Sequence, residues 1–255
     1  MAHRKVQHGV AREVTDHRDQ HYTPPHPGGM KFPRAVDLRP AEWPVWEQGG
    51  LNSCTAQAIC AAYQLMLIRE RVPKAYDPSR LFLYYNERAI EGKVDDNAPV
   101  YMRDGMKTVR RTGVCAEAQW PYVEKRYAER PPEPCFTAAQ EHRAVSYLKV
   151  KQDLKHIKHC LAEGYPVTIA LVLYYSDDRQ ALPLDGNLLV PDPAKETPCG
   201  GHAMLLVGYD DARERFLVRN SHGGTWGQKG YGTLPYAYAL NPDWADSLWT
   251  IRRAS

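Results

Sequence analysis

Residues 46–64 read WEQGGLNSCTAQAICAAYQ. A glutamine, two glycines and a short polar turn lead to Cys54, and an alanine-rich segment sets out from that cysteine. Counted from Thr55, apolar or small side chains fall at Ala58, Ile59, Ala62, Tyr63 and Met66, the spacing of one helix face. Ser53 and Thr55 suit the start of that helix as caps, and the pattern breaks at Pro73. A helix amino end favours a nearby anion. The stretch therefore predicts a reachable, ionisable thiol, with the Gln48 amide one loop away.

Working outward, the first half is helical. DPSRLFLYYNERAIEG (77–92) reads as a helix capped near Asp77 with Pro78 in its first turn and stopped by Gly92. MRDGMKTVRRTG (102–113) reads as another, ending at Gly113. The second half opens with one amphipathic helix, QDLKHIKHCLAEGYP (152–166). After it come VTIALVLYY, HAMLLVGYD, RFLVRNS, GYGTLPY and SLWTIRR, short and strand-like, with GYDDARERF as a hairpin connection. Helices first and strands later predict an α+β architecture of two lobes.

Composition narrows the function classes. With 43% hydrophobic residues, 255 residues can bury a sizeable core. A net charge of +3 is too balanced for a nucleic-acid binder, and the longest apolar runs fall far short of a membrane span. Six cysteines, at 54, 60, 115, 135, 160 and 199, are expected as free thiols in a reducing cytoplasm, since no apolar secretory segment opens the chain. Residues 1–33 are polar and rich in His and Pro, and read as a solvated tail before a domain at 34–255. His156, His159 and Cys160 share one helix, but Lys155 and Lys158 beside them would repel a cation. They read as a solvated face, and no metal or cofactor is expected.

Two further stretches matter. In CGGHAMLLVGYD (199–210), His202 follows two glycines and enters an apolar strand; in VRNSHGGTWGQKGYG (218–232), a strand ends at Asn220 in a glycine-rich turn. Singly, each has a dull reading: an inert core thiol, a structural histidine, a turn-forming Asn. Together, and in this order, they resemble the papain-like cysteine peptidases. That family carries Q-x5-C at a helix start, H-A before an apolar strand with V-G-Y, and N-S-W-G-x-x-W-G-x-x-G-Y. This chain reads Gln48-x5-Cys54, His202-Ala203 with Val207-Gly208-Tyr209, and Asn220-Ser221-His222-Gly223 followed by Trp226-Gly227 and Gly230-Tyr231. The wording DHRDQHY, AVDLRP and SRLFLYYNERAIEG is similar to compact bacterial and archaeal members.

The resemblance implies a papain-like two-lobe fold with the cleft between a helical lobe and a β-rich lobe. It implies a protein or peptide substrate, and a monomer as the working unit. It assigns Cys54 as nucleophile, His202 as acid and base, Asn220 as the residue that orients the ring, and Gln48 as oxyanion donor. It also implies a main upstream pocket floored by Ala203 and walled by Tyr101 and Met102, next to a substrate-pairing segment at Val100. All are apolar or aromatic, so an apolar substrate side chain is expected there. Three departures stand out. His222 takes the place of a shielding Trp and can charge near neutral pH. Leu51 replaces a half-cystine, and Pro99 lacks the N–H of the usual glycine. His222 and Pro99 leave open a weak or inactive peptide binder, and the shared thioester leaves open an acyl transferase. The short tail, too small for the family's helical prodomain, is expected to lie extended across the cleft.

Overall fold

The protein is described from a computed structural model covering residues 10–25, 32–72, 76–177 and 179–254. In chain order the elements are β1 (Val10–Ala11), β2 (Ala35–Asp37), α1 (Cys54–Arg69), α2 (Arg80–Ile90), β3 (Val100–Tyr101), α3 (Met102–Arg111), α4 (Glu133–Gln140) and β4 (Ala144–Lys149). There follow α5 (Leu154–Ala162), β5 (Val167–Tyr175), β6 (Thr197–Asp210), β7 (Arg215–Arg219), β8 (Tyr231–Pro235), α6 (Tyr236–Leu240) and β9 (Ala245–Ala254). The helices α1 to α3 form one lobe. The other is a seven-stranded antiparallel sheet in the order β4-β9-β5-β6-β7-β8, with β2 also on β6.

β6 joins the lobes, and its alternation shows how. Ala203, Leu205 and Val207 belong to the core shared with α1, whereas Met204 and Leu206 belong to a second core with α5, and a register shift between Leu206 and Gly208 brings Tyr209 into that second core as well. Successive side chains on a strand point to opposite faces, so one apolar run serves two cores. That is why AMLLV (203–207) reads as continuously apolar rather than alternating. α1 is buried along nearly its whole length between these layers, so its first residue is held rigidly.

Two caps differ from the sequence reading. Ser79, not Asp77, caps α2 by accepting from the Phe82 N–H at 3.1 Å, because the Asp77 carboxylate is taken by the Gln64 side chain. Ser53 stands at the cap position of α1, but its hydroxyl pairs with Tyr122 Oη at 2.6 Å and caps nothing. Pro73, where the helical pattern breaks, lies outside the described residues; α1 itself ends at Arg69.

The Thr55 hydroxyl donates to Glu87 Oε1 at 2.6 Å, so it ties α1 to α2. Burial pushes the Glu87 carboxyl up to about 8 from an ordinary 4.5. Between those values the folded chain holds a proton that the unfolded chain has lost, so stability falls as pH rises across that window. Glu87→Gln keeps the acceptor for Thr55 and carries no charge. It is expected to gain on the order of 3 kcal/mol over the parent at pH 8 and little at pH 4.5. Urea unfolding at the two pH values checks this; parallel losses in both proteins would contradict it.

Candidate active site

Three segments meet where α1 begins. The approach to α1 is hydrogen-bonded to the turn after β7: Gln48 N–H donates to Ser221 O at 2.8 Å and Gly223 N–H to Trp46 O at 3.0 Å, with Glu47 bridged to His222. The Gln48 side chain is held at both ends. Its Nε2 donates to Leu51 O at 2.9 Å, and its Oε1 accepts from the Ser221 hydroxyl. An amide nitrogen has two hydrogens, so one remains to donate elsewhere. Cys54 is the first residue of α1 and is fully buried.

His202 lies in β6, also fully buried, and its Nε2 is 2.8 Å from Asn220 Oδ1. The same Oδ1 accepts from the Ser221 backbone N–H at 2.8 Å. A backbone N–H can only donate, so this atom is the amide oxygen and the His202 Nε2 must carry the proton. In the neutral ring Nδ1 is then the basic nitrogen. The geometry leaves proton exchange to Nδ1. His222, half-buried, lies with its ring centre 5.2 Å from that of His202, tilted by 58°.

Three of the other five cysteines are poor rivals for Cys54. Burial pushes the Cys60 and Cys115 thiols well up and the Cys160 thiol up to about 12. None of these three is a thiolate at neutral pH, and a thiolate is the reactive form.

The expected substrate-binding residues come from two sides. Val100 and Tyr101 form β3, Met102 opens α3 and is buried, and Ala203 follows His202 in β6. Ala203 also lines a cavity of about 10 Å³ between the lobes, with Gln57 and Asn220. Between these sides runs the N-terminal segment. Val10 pairs in parallel with Val100 and Ala11 with Tyr101. A Cβ built on Gly201 would sit 2.5 Å from the Val10 carbonyl, so the segment passes against the residue before His202 and only glycine admits it.

Sequence reasoning did not find what anchors that segment. The Glu13 carboxylate accepts from the Arg103 N–H at 2.7 Å and Trp249 Nε1 at 3.0 Å, with Lys149 Nζ at 3.4 Å. Asp19 forms a two-point pair with Arg103 at 2.8 and 2.9 Å. Tyr22 is buried, its hydroxyl 2.6 Å from His159 Nδ1 on α5. The signal in the sequence is the DHRDQHY stretch (16–22), which contains both Asp19 and Tyr22.

This corrects the solvated-face reading of α5: His159 and Cys160 are buried, and only His156 is partly open, with its Nδ1 2.7 Å from Asp153. Among the described residues no three His, Cys, Asp or Glu side chains converge as metal ligands, and no helix is long and apolar enough to cross a membrane.

Comparison with known proteins gives a consistent set. Residues 32–239 match the family model described as papain family cysteine protease. A peptidase C1-like protein of Acanthamoeba polyphaga mimivirus is 33% identical over 217 residues, spanning 82% of this chain and 70% of that protein. Peptidase 1 of the mite Dermatophagoides farinae is 28% identical, and the match spans 80% of this chain and 61% of the mite protein. Among solved structures, xylellain, a cysteine protease from Xylella fastidiosa, superposes with a TM-score of 0.90 at 36% identity, over 99% of this chain and 98% of that one. Digestive procathepsin L 3 of Tenebrio molitor shares the fold at 18% identity and TM-score 0.68, over 96% of this chain and 76% of its own.

Proposed function

This chain belongs to the papain family of cysteine proteases, and we propose that it cleaves peptide bonds through Cys54, His202 and Asn220. The observation that carries the reading is the double acceptance at Asn220 Oδ1, from Ser221 N–H and from His202 Nε2. It leaves His202 Nδ1 as the nitrogen that trades a proton with the thiol. Cys54 at the amino end of α1 gains further from the helix dipole, which favours the thiolate.

The steps then balance as follows. The Cys54 thiolate adds to the scissile carbonyl carbon, and the carbonyl oxygen takes the negative charge. The free hydrogen of Gln48 Nε2 and the Cys54 backbone N–H stabilise that charge. The C–N bond breaks as His202 Nδ1–H protonates the leaving amine, giving a thioester. Water, deprotonated by the same nitrogen, adds to the thioester carbon. Collapse releases the carboxylic acid and restores the thiolate–imidazolium pair.

The apolar character of Val100, Tyr101, Met102 and Ala203 supports an apolar side chain two residues before the scissile bond. Fluorogenic dipeptidyl amides test this: Leu, Val or Phe at that position should exceed Asp and Lys by about tenfold or more in kcat/KM, the scale of one well-filled apolar pocket. A preference for a charged residue would overturn the pocket assignment, and no cleavage after the N-terminal segment is displaced would overturn the peptidase reading. We read that segment, from its pairing with β3 and its contact with Gly201, as an inhibitor lying in the groove.

A further inference from the structure

The loop between Gln48 and Cys54 is glycine-rich, with Gly49 at φ +62°, and Leu51 offers it no disulfide. A loop of that composition loses much backbone entropy when ordered, yet it must hold two donors on one point to a fraction of an ångström. Asn97 supplies the tie. Its Oδ1 accepts from the Asn52 N–H at 2.8 Å, its Nδ2 donates to Gly50 O at 3.1 Å, and its backbone carbonyl accepts from Asn52 Nδ2 at 2.6 Å. The amide cannot be flipped, because a backbone N–H faces one end and a carbonyl faces the other. Tyr84 in turn donates its hydroxyl to Asn97 Oδ1 at 2.8 Å, with Ala98 O at 3.1 Å.

Resting on the proposed peptidase reading, we infer that Asn97 is a positioning residue for the oxyanion site, and that it locks the Gln48–Cys54 loop to the segment leading into β3. Asn97 lies three residues before Val100, so the tie fixes the oxyanion donors relative to the segment that would pair with substrate. None of these bonds touches the thiol or the imidazole. Loss of Asn97 should therefore weaken charge stabilisation on the carbonyl oxygen and leave the thiolate's own reactivity in place.

The test compares three rates in the full chain and in Asn97→Ala. Hydrolysis of a peptidyl amide and binding of a peptide aldehyde both need the oxyanion donors. Alkylation of Cys54 by iodoacetamide needs only the thiolate. Taking hydrolysis relative to alkylation within each protein cancels any change in how often the N-terminal segment vacates the groove. The expected result is a fall of about tenfold to a hundredfold in that ratio, part of what losing a donor outright costs, with aldehyde affinity falling alongside. Asn97→Asp, which keeps the acceptor and sets an oxygen against Gly50 O, should do the same if the alanine variant unfolds. An unchanged ratio, or alkylation falling as far as hydrolysis, would overturn the assignment. A parent protein whose Cys54 takes neither aldehyde nor iodoacetamide would instead overturn the peptidase reading beneath it.

Discussion

Replacing His202 with alanine is expected to lower kcat/KM for a peptidyl amide by about a thousandfold or more, the scale of losing a catalytic base. The Asn220 bond at Nε2 leaves Nδ1 as the nitrogen that would trade the proton, and alanine removes that nitrogen altogether. The variant should also change how Cys54 titrates. In the proposed pair an imidazolium would keep the thiolate charged to acid pH, whereas a lone cysteine ionises near 8.5. At pH 6 the iodoacetamide rate of Cys54 should drop about a hundredfold in the variant and recover as pH approaches 9. A variant with the parent's pH profile would remove His202 from the site.

The second large effect concerns the N-terminal segment. On the proposed inhibitor reading, β1 contributes only two paired residues, so much of the segment's hold comes from Glu13 and Asp19. Both carboxylates face Arg103, and both lie near Lys149. Removing one partner of a buried pair costs about 3–5 kcal/mol, because the other charge is left uncompensated. The double variant Glu13→Ala with Asp19→Ala should therefore open the groove, and the labelling of Cys54 by a bulky peptidyl electrophile should rise at least about tenfold.

Acid should not do the same. Burial raises the Glu13 carboxyl despite Arg103 and Lys149, so docking takes up a proton and strengthens as pH falls toward the ordinary carboxylate range. Burial also opposes the Asp19 charge, but its bonds to Arg103 prevail and hold it below its ordinary value. Asp19 therefore weakens docking only below about pH 4. Labelling that accelerates between pH 7 and pH 5 in the parent, or stays unchanged in the double variant, would contradict this.

The candidate catalytic residues could be picked out because their signal is local. Gln48, Cys54, His202 and Asn220 each sit in a short phrase whose glycines and small residues have no better use. The strands β5 to β9 were legible from their apolar runs, and α3 from its terminal glycine. The unread parts depend on partners far away in the chain. Glu13 and Asp19 look like solvated tail charges until Arg103 and Lys149 are brought to them. His159 looks exposed until Tyr22 covers it. The strands β1 and β3, of two residues each, carry no period at all. Helix α4 was passed over because EPCFTAAQ is eight residues with an early proline. Asn97 sits in a stretch with no motif, and only its three hydrogen bonds to the loop show its use.

The most direct measurement is covalent labelling of the full chain with a peptidyl electrophile bearing an apolar residue, followed by digestion and mass spectrometry. One adduct per chain on Cys54, formed about a hundredfold more slowly at pH 6 in His202→Ala, is the predicted result. An adduct on Cys60 or Cys115 with Cys54 untouched would contradict it.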